Sequence, residues 1–198
     1  MVNLALNKQA KLSPNLASPS EATLGHLSEL NGSRLSPHFT LGELCKTSVE
    51  SLDGNIPGQE EIENLKRLCP WLEELRARYN KLYIFEEGGR RNEEGEYSKG
   101  GVEEPIIISS GYRSPEVNRC VGGAYSSNHL SGCAVDIRCV GVEQAIRYAA
   151  ILLDTADDWK LDFDELFIER NRKGRYWVHF AVRPPNEQNR RKILFLTK

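Results

Sequence analysis

No stretch of the 198-residue sequence approaches the ~20 consecutive apolar residues of a membrane-spanning helix, so a helical span is excluded. Neither sign of charge is in excess: 26 Lys and Arg stand against 28 Asp and Glu, for a net charge of −2. That balance excludes nucleic acid held by bulk electrostatics and leaves only a local basic patch open. With 16 glycines and 9 prolines the chain is neither collagen-like nor wholly disordered. The cysteines, Cys45, Cys69, Cys120, Cys133 and Cys139, include no pair at the two-residue spacing of a zinc ribbon or redox motif, and their odd number speaks against a disulfide framework. Free, mostly buried thiols made in a reducing compartment are the expectation, with one bridge among the last three as the alternative. Residues 1–16 lack the continuous apolar core of a secretory signal, so synthesis in the cytoplasm without a standard signal is expected.

What is present is the composition of an ordinary globular domain, 39% hydrophobic and 27% charged. Residues 1–36 hold no aromatic side chain and read as a tail, loosely ordered or packed late on a domain spanning 37–198. In FTLGEL, Thr40 and Glu43 have the spacing of a capping box for a short helix. From Pro57 the apolar residues Ile62, Leu65, Leu68, Leu72, Leu75 and Tyr79 recur at helical spacing, with Glu60 and Glu61 near the positive end of the dipole. Pro70 is expected to kink or split this helix, because it cannot bond the carbonyl of Lys66. KLYIF reads as a strand and residues 88–101, with five glycines, as a flexible surface insertion. PIIISS at 105–110 reads as a buried strand, Val142–Leu153 as an amphipathic helix, and ELFIER and RYWVHFAV as a hairpin turning at Asn171–Gly174. Strands and helices mix without βαβ regularity, so the expected class is α+β.

The four histidines are His26, His38, His129 and His179. The first two sit in poorly patterned sequence and read as exposed polar residues. His129 lies in SSNHLSGCAVDI, and Asp136 follows with Gly132 and Ala134 between, small residues that let a tight loop and the next strand aim at one centre. Two imidazoles and a carboxylate suit Zn²⁺ and leave a fourth position for water, and His179 in RYWVHFAV is the third candidate. A satisfied structural histidine is the rival explanation for each of these residues taken alone.

SGYRSPEVN (residues 110–118), Gly122-Gly123, Ser127-x-His129-x-x-Gly132-x-Ala134-x-Asp136 and Trp177-Val178-His179 occur in the order that closely resembles the zinc D-alanyl-D-alanine carboxypeptidase family, which includes bacterial D,D-carboxypeptidases and phage endolysins. The resemblance covers Phe39 to about Val182. It implies a central antiparallel sheet carrying the zinc with helices packed around it, the fold shared with the hedgehog signalling domain. It implies one Zn²⁺ per chain held by His129, Asp136 and His179, with Arg113 orienting substrate and Ser127 bonding the substrate backbone. A structural salt bridge for Arg113 and a turn cap for Ser127 are the alternatives.

The implied activity is metal-assisted hydrolysis of an amide in peptidoglycan stem peptides by a monomer, acting on the wall after release or on muropeptides in the cytoplasm. Many members place the catalytic acid three residues before the last histidine, where this chain has Tyr176. Other members carry a Glu on the preceding strand, which matches Glu169, with Glu165 and Asp164 in reserve. An odd number of hairpin loop residues puts Glu169 and His179 on one face, and an even number separates them. Cys120, Cys133 and Cys139 flank the site as competing thiolate ligands, but strand alternation aims Cys133 away from Asp136 and favours packed thiols. The alternative function is a non-catalytic zinc module that binds or braces the cell wall. A zinc peptidase acting on a non-wall peptide shares the same centre.

Overall fold

The computed structural model describes residues 32–86 and 103–197. The expected tail lies almost wholly outside the described residues, and the insertion at 88–101 lies entirely outside them. Four α-helices lie wholly within the described residues: α1 (Leu41–Leu44), α2 (Gln59–Tyr79), α3 (Pro115–Cys120) and α4 (Val142–Trp159). The strands are β1 (Ile108–Ser110), β2 (Ala134–Cys139), β3 (Glu165–Arg170), β4 (Tyr176–Ala181) and β5 (Lys192–Thr197), joined in one sheet in the order β1-β2-β4-β3-β5. The class is α+β.

The sheet is mixed, not antiparallel throughout: β5 runs parallel to β3, Glu165 beside Lys192 and Arg170 beside Thr197. Its direction follows from where the chain turns back. β4 ends with Ala181 opposite Glu165, and β5 must start from that same end. Buried Asp164 fastens this corner, its backbone N–H donating to the Ala181 carbonyl and its carbonyl accepting from Lys192.

The elements form for local reasons. Thr40 caps α1: its hydroxyl accepts from the Glu43 N–H, and the Glu43 carboxylate accepts from the Thr40 N–H. Helix α2 runs through Pro70 unbroken, contrary to the expectation of a split. Pro70 and Lys66 face water, where the orphaned carbonyl is solvated, while Leu65, Leu68, Trp71, Leu72 and Leu75 hold both halves on the core. KLYIF is not a strand either, because residues Asn80–Glu86 continue α2 as a π-helical turn. Asn80 fixes that junction by donating to the Arg76 and Glu104 carbonyls, and Tyr83 rests on Tyr79 at 5.4 Å. The PIIISS run yields only a short edge strand whose residues alternate, Ile106 and Ile108 inward and Ile107 outward. Ile146, assigned to the buried face of α4, points to solvent, and Tyr148 and Ile151 fill the core instead.

Strand alternation gives the sheet two different faces. One carries Val135, Ile137, Leu166, Val178 and Phe180, covered by α2 and α4. Trp71 joins these layers, its ring centroid 5.1 Å from Trp159 and 5.2 Å from Phe180. The opposite face carries Asp136, Trp177, His179, Glu165, Phe167 and Glu169, and there the polar chemistry collects. All five cysteines are free, and Cys133, Cys139 and their neighbours Val135 and Ile137 belong to the apolar side.

Candidate metal centre

β2 and β4 place Asp136 directly opposite His179. His129 comes from the loop before β2. Its carbonyl accepts from the Arg113 and Gly132 N–H groups. Gly132 has φ +69°, and a Cβ there would lie 2.5 Å from the Glu61 carbonyl oxygen, so this turn needs glycine on both counts. On the other side, Ser114 caps α3 with Pro115 following, and this YRSP turn brings Arg113 under the cluster.

The three ligand candidates converge and are buried. His129 Nε2 lies 3.2 Å from Asp136 Oδ1 and 3.2 Å from His179 Nδ1, and the latter is 3.0 Å from Asp136 Oδ1. Tetrahedral zinc with bonds of about 2.0–2.1 Å places its donors about 3.3 Å apart, so the spacing fits. The outer nitrogens settle the tautomers: His129 Nδ1 donates to the Gly111 carbonyl at 2.6 Å, and His179 Nε2 donates to Glu165 Oε2 at 3.2 Å. Each neutral ring therefore turns a lone pair, not a proton, toward the other and toward a carboxylate oxygen. Three acceptors facing one point form a group that could hold a metal ion.

The electrostatics agree. Burial opposes a charge on His179, but its bonds to Asp136 and Glu165 outweigh that and lift its pKa to about 9. Burial keeps His129 below the ordinary histidine value. Burial also opposes the Asp136 charge, yet the two imidazoles hold its carboxyl well below the usual range. Its outer oxygen, Oδ2, is taken by the Arg113 guanidinium, whose Nε donates to Ser110 Oγ at 2.8 Å. A break in the β1–β2 register brings Ser110 opposite Asp136 and completes this brace.

Arg113, Ser127, Glu169, Trp177 and Lys192 line a groove of about 790 Å³ that runs over the cluster. Ser127 Oγ accepts from the His129 N–H at 3.4 Å, the turn-capping arrangement, and the residue also borders the groove. The hairpin loop has the odd count, residues 171–175, so Glu169 and His179 share a face, with Glu169 opposite Trp177. Glu165 instead bonds His179 directly. Asp164 is wholly buried, held to about pKa 2 against its burial by Arg190, Asn128 and Arg183, and presents nothing to the groove. Tyr176 is an odd number of residues from His179 on β4 and lies on the other face, so an acid at that position would not look toward the cluster.

Three participants were not read from the sequence. Phe167 stacks on His179 with centroids 5.3 Å apart and 21° between planes. Asn128, next to His129, bonds both Asp164 and Glu165. Arg190 reaches the same pair from the far end of the chain. The position of Asn128 beside a ligand was the one available sign. Arg190 gives none until the chain folds back.

Fold and site together place a buried His-Asp-His group that could hold a metal ion on an α+β sheet, beside a groove of about 790 Å³. Residues 96–158 match a family model described as Peptidase M15. The matched span includes Arg113, His129 and Asp136 and ends before β3 and β4, and it supports a metallopeptidase. No curated protein matches the chain.

Proposed function

We propose that the protein is a zinc metallopeptidase that hydrolyses an amide bond in peptidoglycan stem peptides, of the D,D-carboxypeptidase or endolysin type. The observation that carries this reading is the pair of imidazoles whose outer nitrogens are already committed, leaving two ring lone pairs that meet an Asp136 carboxylate oxygen at one point. His129, Asp136 and His179 would hold the metal. When bound, zinc polarises the scissile carbonyl and brings the pKa of water toward ~7.

The chain supplies the rest. Arg113 fixes Asp136 with one arm and borders the groove, where its guanidinium can grip a peptide carbonyl or carboxylate. Glu169, on the metal face of β3, takes the proton of the attacking water and returns it to the leaving amine as the C–N bond breaks. Lys192, which also lines the groove, favours a peptide carrying carboxylates, the character of a stem peptide. The proposed fold is that shared by these carboxypeptidases and the hedgehog domain.

The test is Glu169→Gln. It should abolish hydrolysis of stem peptides while leaving one zinc bound per chain. Retained hydrolysis would remove Glu169 from the mechanism. A zinc-loaded wild type that cuts no wall fragment would favour a non-catalytic wall-binding module.

A further inference from the structure

The three ligands do not stand alone. Glu165 receives the His179 Nε2–H with Oε2, and the same oxygen accepts from Asn128 Nδ2 at 3.0 Å. Its other oxygen accepts from Arg190 at 2.6 Å. Arg190 also grips Asp164 with two nitrogens, at 2.8 and 2.6 Å, and Asn128 bonds Asp164 at 2.8 Å. Asp164 is completely buried, so this ring of four side chains has a fixed base. Asn128 precedes the ligand His129 in the chain, while Glu165 holds the ligand His179. The ring therefore ties two ligands together from behind. Arg183 and Arg190 belong to the loop 182–191 that returns from β4 to β5, which lies outside the span matched by the family model.

We propose that Glu165 is a positioning residue that fixes the tautomer and orientation of His179, and that Arg190 locks Glu165 in that pose, so the return loop helps set the metal affinity of the centre. This rests on the zinc reading above. A carboxylate accepting the outer N–H keeps the imidazole lone pair on Nδ1 and makes that nitrogen a better donor. Arg190 acts one step further back, bonding Asp164 and Glu165 rather than a ligand. Its side chain is 44% exposed, which makes its replacement tolerable to the fold.

The experiment compares the wild type, Glu165→Gln, Arg190→Gln and the double variant. Zinc affinity is measured by competition with a chromophoric chelator, and the ligand field by the visible spectrum of the Co²⁺-substituted protein. Each single variant should lose about 10- to 100-fold in zinc affinity and alter the Co²⁺ bands. The double variant should be little worse than Glu165→Gln, because both act through one bond. Excess zinc should recover much of the hydrolysis lost at limiting zinc. Zinc affinity of Glu165→Gln within about threefold of wild type, with unchanged Co²⁺ bands, would overturn the proposal, as would additive losses in the double variant. Abolished hydrolysis at saturating zinc with intact affinity would make Glu165 the base and not the positioner. A folded wild type that binds no zinc would instead overturn the metal reading itself, and the wild-type titration shows that directly.

Discussion

Raising the pH from 6.5 to 9 should destabilise the metal-free protein more than the zinc-loaded one. His179 has its pKa lifted to about 9 in the folded, metal-free chain, while burial alone would have lowered it. A folded pKa above the unfolded one contributes stability that is complete below about 6.5 and is lost as pH rises through about 9. The change is worth about 3 kcal/mol over that window. For a domain of this size, 1 kcal/mol moves the midpoint by roughly 2–4 °C, so the metal-free Tm should fall by about 6–12 °C more than the zinc-loaded Tm. The buried thiols add a loss of their own toward pH 9, since burial pushes Cys69 up to about 11 and Cys45 and Cys139 up to about 12 while an unfolded thiol ionises at about 8.5; that loss is common to both samples and cancels in their difference. With zinc bound, the Nδ1 lone pair is donated to the metal and no proton remains to lose. Calorimetry of chelator-treated and zinc-loaded samples at both pH values makes the comparison. Zinc titrations near pH 7.5 in two buffers of different ionisation enthalpy should report release of about one proton. A metal-free midpoint that falls no further than the zinc-loaded one across the window would refute the reasoning.

Other substitutions probe the supports of the site. Gly132→Ala places a Cβ against the Glu61 carbonyl at a positive φ, and should cost about 1–3 kcal/mol in denaturant unfolding. Arg113→Lys keeps the charge but loses the fork that holds both Ser110 and Asp136, and should lower kcat/KM about 10- to 100-fold in a stem-peptide assay. Trp71→Ala removes the ring that joins α2 to Trp159 and Phe180, and should cost about 3–5 kcal/mol by chemical denaturation, with zinc stoichiometry retained where the protein is folded.

The parts legible in the sequence are those fixed by short-range chemistry. The Thr40–Glu43 cap, the spacing of Leu65, Leu68, Leu72 and Leu75, and the Asn171–Gly174 hairpin each depend on neighbours within a few residues. The parity of that loop was not legible: only the structure gives residues 171–175, the odd count that carries Glu169 to the same face as His179. What was not legible depends on distant partners. Pro70 leaves α2 whole because buried side chains on both sides of it meet one core. KLYIF has strand-like composition, but Asn80 reaches forward to Glu104 and winds the segment into a π turn. KILFLT became the parallel edge strand β5 only because the corner at Asp164 returned it beside β3, and with Ile193, Leu194 and Phe195 all partly exposed it shows no one-faced alternation. Glu165 and Asp164 look alike in DELFIER, yet one holds a ligand and the other anchors a loop, a difference made by Arg190 and Asn128.

The central claim meets its most direct test in digestion of purified peptidoglycan and synthetic stem peptides by the zinc-loaded protein, with and without chelator, read by mass spectrometry. Loss of a terminal D-alanine or release of a stem fragment, stopped by chelator and restored by zinc, is the predicted result. A folded protein carrying one zinc per chain that leaves every one of these substrates intact would contradict it.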